Sequence, residues 1–458
     1  MKQWLWLLVA TVASAFLFQA ALPPVGWSVL GWFCFTPTLL ACRGRGFAVG
    51  FASGLFAVMG AGFLARYGLW CTPSLLDGDP GWIYAGFALF GGPVGLLHGL
   101  VGEARESKWW TPLLFAAWAV LFEALLLLYL PANIALTQSR NMLLLDLASV
   151  TGIWGVSYLV WAANLAFAES LHRKDRRAFT SVAVGVVFLC LGRLVDHQHA
   201  GSRGFHLTAV QAPLEDGDYL LDSTKNGHAL SGIVVWPEGS GMTFVTHGDT
   251  SKLTEWAKTP ETYSFTTTFD DDLEPHPHNT MAVFTNAGES PRYFKRKLFG
   301  GERFEHTAGT TSVATSVGGQ GLGLNVCFDS CYPSVMRETA LLPDVRIILL
   351  PTLDPASPYG VCQAIHAAYT PFRAAELGVF IVRAEATAYS MVVDNHGFVL
   401  SEAKSGTREV VTRITAPYSR NTFYKATGDW FLYACGLACL VPLVAKLKAR
   451  VSKARRPD

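Results

Sequence analysis

Gly323-Leu324-Asn325-Val326-Cys327-Phe328-Asp329 is the stretch on which the reading of this 458-residue chain turns. It is a short apolar run with the pattern of a strand, and it ends on a cysteine. A strand end is where a rigid sheet presents a side chain to a cleft, so Cys327 is a candidate nucleophile. Alone, a cysteine in an apolar strand is more often core than catalyst. The sequence around it decides between the two.

Working outward, residues 205 to 417 alternate short β-like runs with helical stretches. The expected strands are His206 to Gln211, Gly232 to Trp236, Tyr263 to Phe269, Thr280 to Thr285, Gly323 to Phe328, Val345 to Leu350, Val379 to Arg383 and Ser390 to Asp394. Amphipathic runs such as Ser251 to Lys258 and Pro333 to Leu341 lie between them. This predicts an α/β domain.

Two further polar groups in it stand where an element ends. In Val234-Val235-Trp236-Pro237-Glu238-Gly239-Ser240 an apolar strand stops at a proline and an acid follows; Lys295 stands in Arg292-Tyr293-Phe294-Lys295-Arg296-Lys297-Leu298, after the turn Asn286-Ala287-Gly288. Singly, Glu238 reads as a turn or cap residue and Lys295 as one of a solvated basic face. Together, a carboxylate, an ammonium and a thiol make a set for acyl transfer: base, cation for a developing oxyanion, and nucleophile.

The rest of the chain is unlike a soluble enzyme. It is 51% hydrophobic and 16% charged, which points to a membrane protein. The net charge is +1 and the basic residues form no stripe, so no nucleic-acid partner is expected. Seven apolar stretches precede residue 200, at Trp4 to Leu22, Gly26 to Cys42, Phe47 to Leu64, Trp82 to Val101, Trp110 to Leu130, Ser149 to Ala168 and Phe179 to Val195; an eighth runs from Trp430 to Ala445. Most approach the roughly 20 residues that a helix needs to cross a bilayer.

With the N-terminus inside, the inner loops hold Arg43, Arg45, Arg105, Lys108, Arg173, Lys174, Arg176 and Arg177, and the tail adds six more basic residues from Lys446 to Arg456. The short outer loops hold only Arg66 and Arg140. This positive-inside bias places residues 205 to 417 outside the cytoplasm.

The order Glu238, Lys295, Cys327 resembles the Glu-Lys-Cys triad of the nitrilase superfamily, whose fold is an αββα sandwich. A sandwich inserted before the last span resembles the apolipoprotein N-acyltransferase family of the bacterial inner membrane, over nearly the whole chain. Trp236-Pro237-Glu238 is similar to that family's Trp-Pro-Glu, Tyr293-Phe294-Lys295 with Leu298 and Gly301-Glu302 to its Tyr-Asp-Lys-x-x-Leu and Gly-Glu, and Cys327-Phe328-Asp329 to its Cys-Tyr-Glu. Arg373-Ala374-Ala375-Glu376-Leu377-Gly378, Arg383-Ala384 and Val393-Asp394 before Gly397 add to it, as does Gly152-Ile153-Trp154-Gly155-Val156-Ser157 in the membrane part.

The resemblance implies a multi-span α-helical membrane domain plus a nitrilase-like αββα sandwich. The implied division is a seven-helix transmembrane domain over 1–200, a periplasmic catalytic domain over 201–420, and a final helix with a basic cytoplasmic tail over 421–458. Glu238 would be the general base, Lys295 the oxyanion-side cation, Cys327 the nucleophile, Glu302 a second carboxylate that holds the lysine, and Asp329 a supporting residue in place of the family's glutamate. The implied chemistry is ping-pong acyl transfer from a phospholipid, through a thioester, to the α-amine of a diacylglyceryl-cysteine lipoprotein. No cofactor and no metal are implied.

The sequence departs from the family in three places. Arg303 to Val326 is rich in Gly, Thr and Ser and shorter than the family's apolar lid region; Leu353-Asp354-Pro355-Ala356-Ser357 stands for Asn-Asp-x-Trp-Phe; and Arg383-Ala384-Glu385-Ala386-Thr387-Ala388 stands for Arg-Ala-x-Asn-x-Gly. Two other readings keep the fold: a membrane-tethered carbon-nitrogen hydrolase or acyltransferase with another substrate, and an accessory conjugal-transfer protein. His276-Pro277-His278 beside Asp270, Asp271 and Asp272 is read as a solvated loop rather than a metal site. Cys331, four residues after Cys327, is read as packing rather than as a disulfide partner.

Overall fold

Helices that are apolar on every face, with no polar stripe, belong in a bilayer or a core. In the computed structural model, which describes residues 2–68, 81–104, 108–174, 176–177, 179–183, 204–225, 232–259, 264–271 and 276–440, four such helices are long and apolar enough to cross a membrane: Lys2–Ala21, Phe47–Arg66, Ile83–Glu103 and Thr111–Leu128. The residues they turn outward are themselves apolar, among them Leu5, Leu8, Phe56 and Phe63.

Two expected spans are not single helices. Gly26 to Cys42 is broken into Ser28–Gly31 and Thr36–Cys42. The stretch at Ser149 to Ala168 falls on two helices, Met142–Thr151 and Ile153–Arg173, which meet at Gly152. The seventh stretch lies mostly outside the described residues, and the eighth is described as an apolar helix over Trp430–Leu440.

Gly152 has φ 69° and ψ −178°, a backbone region in effect reserved for glycine. A Cβ there would sit 2.5 Å from Cε2 of Tyr424. Gly152→Ala is therefore expected to cost about 1–3 kcal/mol in backbone strain alone, with the clash in addition. Thermal unfolding in detergent should show a midpoint lower by several degrees; an unchanged midpoint would mean that the helix joint adapts.

The second half of the chain is a four-layer sandwich. Its strands are β1 (Phe205–Gln211), β2 (Gly232–Val235), β3 (Phe265–Asp270), β4 (Asn279–Thr285), β5 (Gly288–Glu289), β6 (Tyr293–Phe294), β7 (Val313–Val317), β8 (Gln320–Leu324), β9 (Val345–Thr352), β10 (Phe380–Glu385), β11 (Met391–Val393), β12 (Val399–Glu402) and β13 (Glu409–Thr415). One sheet runs β13-β1-β2-β3-β4-β5, with β6 also on β4; the other runs β12-β11-β10-β9-β8-β7. The central pairs β1–β2, β2–β3, β8–β9 and β9–β10 are parallel.

Alternation along each strand builds the layers, because successive side chains face opposite ways. Ile233 and Val235 of β2, and Ile347 and Leu349 of β9, share the core between the sheets. Ile348 and Leu350 face the other way, into a core with Met336, Ala374 and Leu377 from the helices Pro333–Ala340 and Tyr369–Leu377. On the far side Val234 and Trp236 pack with Leu220 and Leu253 from the helices Gly217–Lys225 and Ser251–Ala257. Helices thus cover both outer faces, as the αββα reading expects.

The sandwich is fastened to the membrane helices by polar contacts at Gly152. The Ile153 N–H donates to Glu376 Oε1 at 2.6 Å, so a carboxylate of the sandwich caps a helix of the bundle. Trp154 Nε1 donates to Asp429 at 2.8 Å and Tyr424 donates to the same oxygen at 2.6 Å. An ion pair joins Arg140 to Glu402 of β12.

Candidate active site

β2 ends because Pro237 has no N–H for the ladder. Trp236 anchors that end, buried and stacked on Phe265 with ring centroids 4.7 Å apart. The chain then turns Glu238 inward, and its N–H donates to the carbonyl of Thr352 in the other sheet at 3.3 Å. Glu238 Oε1 accepts from Lys295 Nζ at 2.8 Å and from Asn279 Nδ2 at 2.7 Å. Its Oε2 accepts from the Leu353 N–H at 2.9 Å. Both oxygens are therefore engaged.

Lys295 follows β6 and is buried with 2% exposure, so its charge needs partners. It has them in Glu238 and in both oxygens of Glu302, at 2.8 and 2.7 Å. All three ammonium protons are thereby taken by carboxylate oxygens. Burial works against the charge on Lys295, but Glu238, Cys327 and Glu302 raise its pKa above the ordinary value and keep it an ammonium. Burial likewise opposes the charge on Glu302, yet the lysine holds its carboxyl below the usual 4.5.

Cys327 does not stand on the strand, contrary to the expectation of Gly323 to Phe328. β8 stops at Leu324, and Cys327 opens a tight 3₁₀ turn over Cys327–Cys331. Its φ is 45°, the left-handed region in which a side chain costs energy. Asp329 holds this turn by accepting from the Val326 N–H at 3.0 Å, the Lys297 N–H at 2.8 Å and the Tyr293 hydroxyl at 2.6 Å. One carboxylate thus ties the cysteine turn to the segment that carries Lys295. Burial pushes the Asp329 carboxyl up, while these donors pull it back.

Burial also pushes the Cys327 thiol well above its ordinary value of 9.0; Glu238 adds to the shift and Lys295 opposes it. The structure therefore brings Glu238, Lys295, Glu302 and Cys327 into one electrostatically connected group. Cys331 is a free thiol, as is Cys327.

Several residues here were not anticipated. Asn279 bridges Glu238 and, at 3.1 Å, Glu302; as the polar residue that opens the apolar strand β4, it carried a readable signal. Asp354 follows the apolar β9 just as Glu238 follows β2, and its Oδ2 accepts from Arg383 at 2.6 Å. His366, on the helix Val361–Ala367, contacts Asp354 Oδ1 through Nδ1 at 2.5 Å and Ser330 Oγ through Nε2 at 2.9 Å. A lone histidine on a helix gave no signal. The Sγ, carboxylate and ring-nitrogen atoms of Cys327, Asp354 and His366 lie within 4.8 Å of one another.

The proton positions in this second group follow from its partners. Ser330 has one hydroxyl proton and donates it to the Cys327 carbonyl at 2.8 Å, so His366 Nε2 must donate to Ser330. Although burial opposes its charge, Asp354 is held below the usual carboxylate range by His366 and Arg383, so Nδ1 donates too. Burial favours the neutral form of His366, but Asp354 and Cys331 together overcome it and lift the pKa to about 10, which matches a ring that donates from both nitrogens. In the other histidine cluster, His278 lies against the Phe294 ring with its Nδ1 3.5 Å from Asp271; Asp272 lies outside the described residues.

An apolar cavity with ≈ 1010 Å³ of empty space, part of it at an open mouth, reaches from the membrane helices to the thiol. Phe18 and Leu22 from the end of the first helix, and Ile83, Phe87 and Phe90 from a third, form its far wall; Cys327 and Phe328 form its near end. An almost wholly apolar lining that ends at the thiol has the character of a site for an apolar chain.

Residues 14–166 match the family described as the apolipoprotein N-acyltransferase N-terminal domain, and residues 233–417 match the carbon-nitrogen hydrolase family. Across both parts the chain is 23% identical over 516 residues to an apolipoprotein N-acyltransferase of Geobacter metallireducens, with 96% of this chain and 95% of that protein covered. It is 24% identical over 490 residues to one of Thermotoga maritima, covering 95% and 92%. Among solved structures it is similar to a CN-hydrolase superfamily protein of Xanthomonas campestris (19% identity, TM-score 0.40, 47% of this chain and 91% of that one). It is also similar to an amidase from a Nesterenkonia species (18% identity, TM-score 0.41, 52% and 98%).

Proposed function

The chain belongs to the apolipoprotein N-acyltransferase family, and from that premise we propose that it moves an acyl chain from a phospholipid, through a thioester on Cys327, to the N-terminal amine of a diacylglyceryl-cysteine lipoprotein. Glu238 is the base that takes the thiol proton. Lys295 supplies positive charge beside the sulfur, and Glu302 and Asp329 hold Lys295 and Cys327 in place. We place the protein in the bacterial inner membrane with the sandwich on the periplasmic side, divided as 1–200, 201–420 and 421–458; the basic residues of the loops support this orientation.

The observation that carries the reading is the apolar cavity between Cys327 and the membrane helices. A soluble amide substrate has no use for an apolar wall made by Phe18, Phe87 and Phe90, whereas an acyl chain gains about 0.8 kcal/mol for each CH₂ it buries. The same wall keeps water from the thioester. Burial makes a base necessary, because the thiol does not ionise at neutral pH unaided.

The test is to incubate the purified protein with phospholipid vesicles and read the mass of the intact chain. Wild type is expected to gain one acyl group, Cys327→Ser to gain no thioester, and a diacylated lipopeptide to discharge the adduct. Absence of the adduct in wild type would sink the mechanism. An adduct that water discharges but the lipopeptide does not would favour the hydrolase reading.

A further inference from the structure

The cavity meets Cys327 beside Asp354 and His366; Glu238, Lys295 and Glu302 are not in its lining. This matters for the group that leaves. When the acyl carbon bonds to sulfur, the glycerol oxygen of the donor departs as an alkoxide and needs a proton. Glu238 lies outside that lining, held by Lys295 and Asn279 at one oxygen and by the Leu353 N–H at the other, and its remaining acceptor site is the one that takes the thiol proton. His366 lines the cavity itself, and its Nε2–H is held only by a serine hydroxyl.

We propose that His366 is a second acid-base group of this reaction, giving its Nε2 proton to the departing glycerol oxygen. The inference rests on the thioester reading above. In the first half Cys327 gives its proton to Glu238, the sulfur bonds to the acyl carbon, and the carbon–oxygen bond breaks with its electron pair on oxygen. That oxygen takes the Nε2 proton, leaving lysophospholipid and a neutral imidazole that Asp354 keeps oriented.

In the second half the acceptor arrives as an ammonium and sheds one proton to Nε2. The free amine bonds to the acyl carbon, the carbon–sulfur bond breaks, and the thiolate recovers its proton from Glu238. The surplus proton on nitrogen passes to solvent, which balances the conversion of an ester and an ammonium to an amide and an alcohol. Each turnover returns His366 to the imidazolium form.

The experiment compares two acyl donors of equal chain length on the full-length protein in detergent: a glyceryl ester, whose leaving oxygen needs a proton, and a p-nitrophenyl ester, whose leaving phenolate does not. Thioester formation is followed by intact mass in single turnover. His366→Gln is expected to slow the glyceryl ester roughly 10²-fold or more, the scale of a lost general acid, and to leave the nitrophenyl ester within a few-fold of wild type. If His366→Gln fails to fold, Asp354→Asn carries the same split.

Equal losses with both donors, or no loss with either, overturn the proposal. A wild type acylated by the nitrophenyl ester and never by the glyceryl ester overturns the lipid-donor reading instead.

Discussion

Glu238→Gln is expected to slow thioester formation at Cys327 by roughly 10²–10⁴-fold, the range for a lost general base. The size follows from the state of the thiol. Burial pushes Cys327 well above 9.0, and the neighbouring Glu238 carboxylate pushes it further, so at neutral pH almost no thiolate exists without proton transfer. A glutamine keeps an oxygen for Lys295 and Asn279 but turns an NH₂ toward the Leu353 N–H, which now donates to Oε2. That mismatch costs about 1–3 kcal/mol of stability, a modest loss beside the kinetic one. Single-turnover mass spectrometry separates the two, because a destabilised protein loses amplitude while one that lacks its base loses rate. Raising the pH to 9 should recover little, since the thiol titrates above that value. Full recovery at that pH would mean that Cys327 ionises on its own and that Glu238 does something else.

The sequence made parts of this legible and hid others, for physical reasons that can be named. Val234 to Trp236 and Ile347 to Leu350 are runs apolar on both faces, so their place inside a sandwich could be read directly. β13 and β7 could not be read in this way. Glu409–Thr415 buries Val411 but leaves Val410, Thr412, Arg413 and Ile414 exposed, and Val313–Val317 is only half-buried; each becomes a strand because β1 or β8 offers it a ladder. Pairing of that kind is tertiary and leaves little trace in local pattern. The Pro-Glu after β2 pointed to Glu238, whereas the turn that lifts Cys327 out of β8 depends on Asp329 gathering donors from Val326, Lys297 and Tyr293. The bonds from Lys297 and Tyr293 both reach Asp329 from the segment of the other sheet, and no spacing rule anticipates them. His366 and Asp354 meet because the helix Val361–Ala367 folds back over the end of β9, and a lone histidine on that helix gave no warning. In the membrane half, uniform apolarity marked four stretches that form long helices among the described residues, but it did not foresee that Gly26 to Cys42 would break or that Gly152 would divide another.

Lys295→Met should separate the two tasks of the lysine, and the effect on stability is expected to be large. Removing the ammonium leaves Glu238 and Glu302 facing one buried space with Asn279 as their shared donor. Breaking a buried charge cluster from one side costs about 3–5 kcal/mol, because the remaining charges are stranded. The pH dependence should also change sign. In wild type the lysine depresses Glu302 below its ordinary 4.5, so the stabilisation is present above that value and fades as pH falls through the depressed pKa. In Lys295→Met the two carboxylates repel, one of them holds a proton more tightly folded than unfolded, and stability should instead rise as pH falls. Adding Glu302→Gln removes one of the stranded charges and gives Glu238 a new donor, so the double variant is expected to regain most of the lost thermal midpoint in detergent. Thioester formation should not return with it, since positive charge beside the sulfur is still missing. If the double variant regained rate as well as stability, the lysine would serve only to hold carboxylates together, and the cation needed by the oxyanion would have to be sought on the other side of the thiol, at His366.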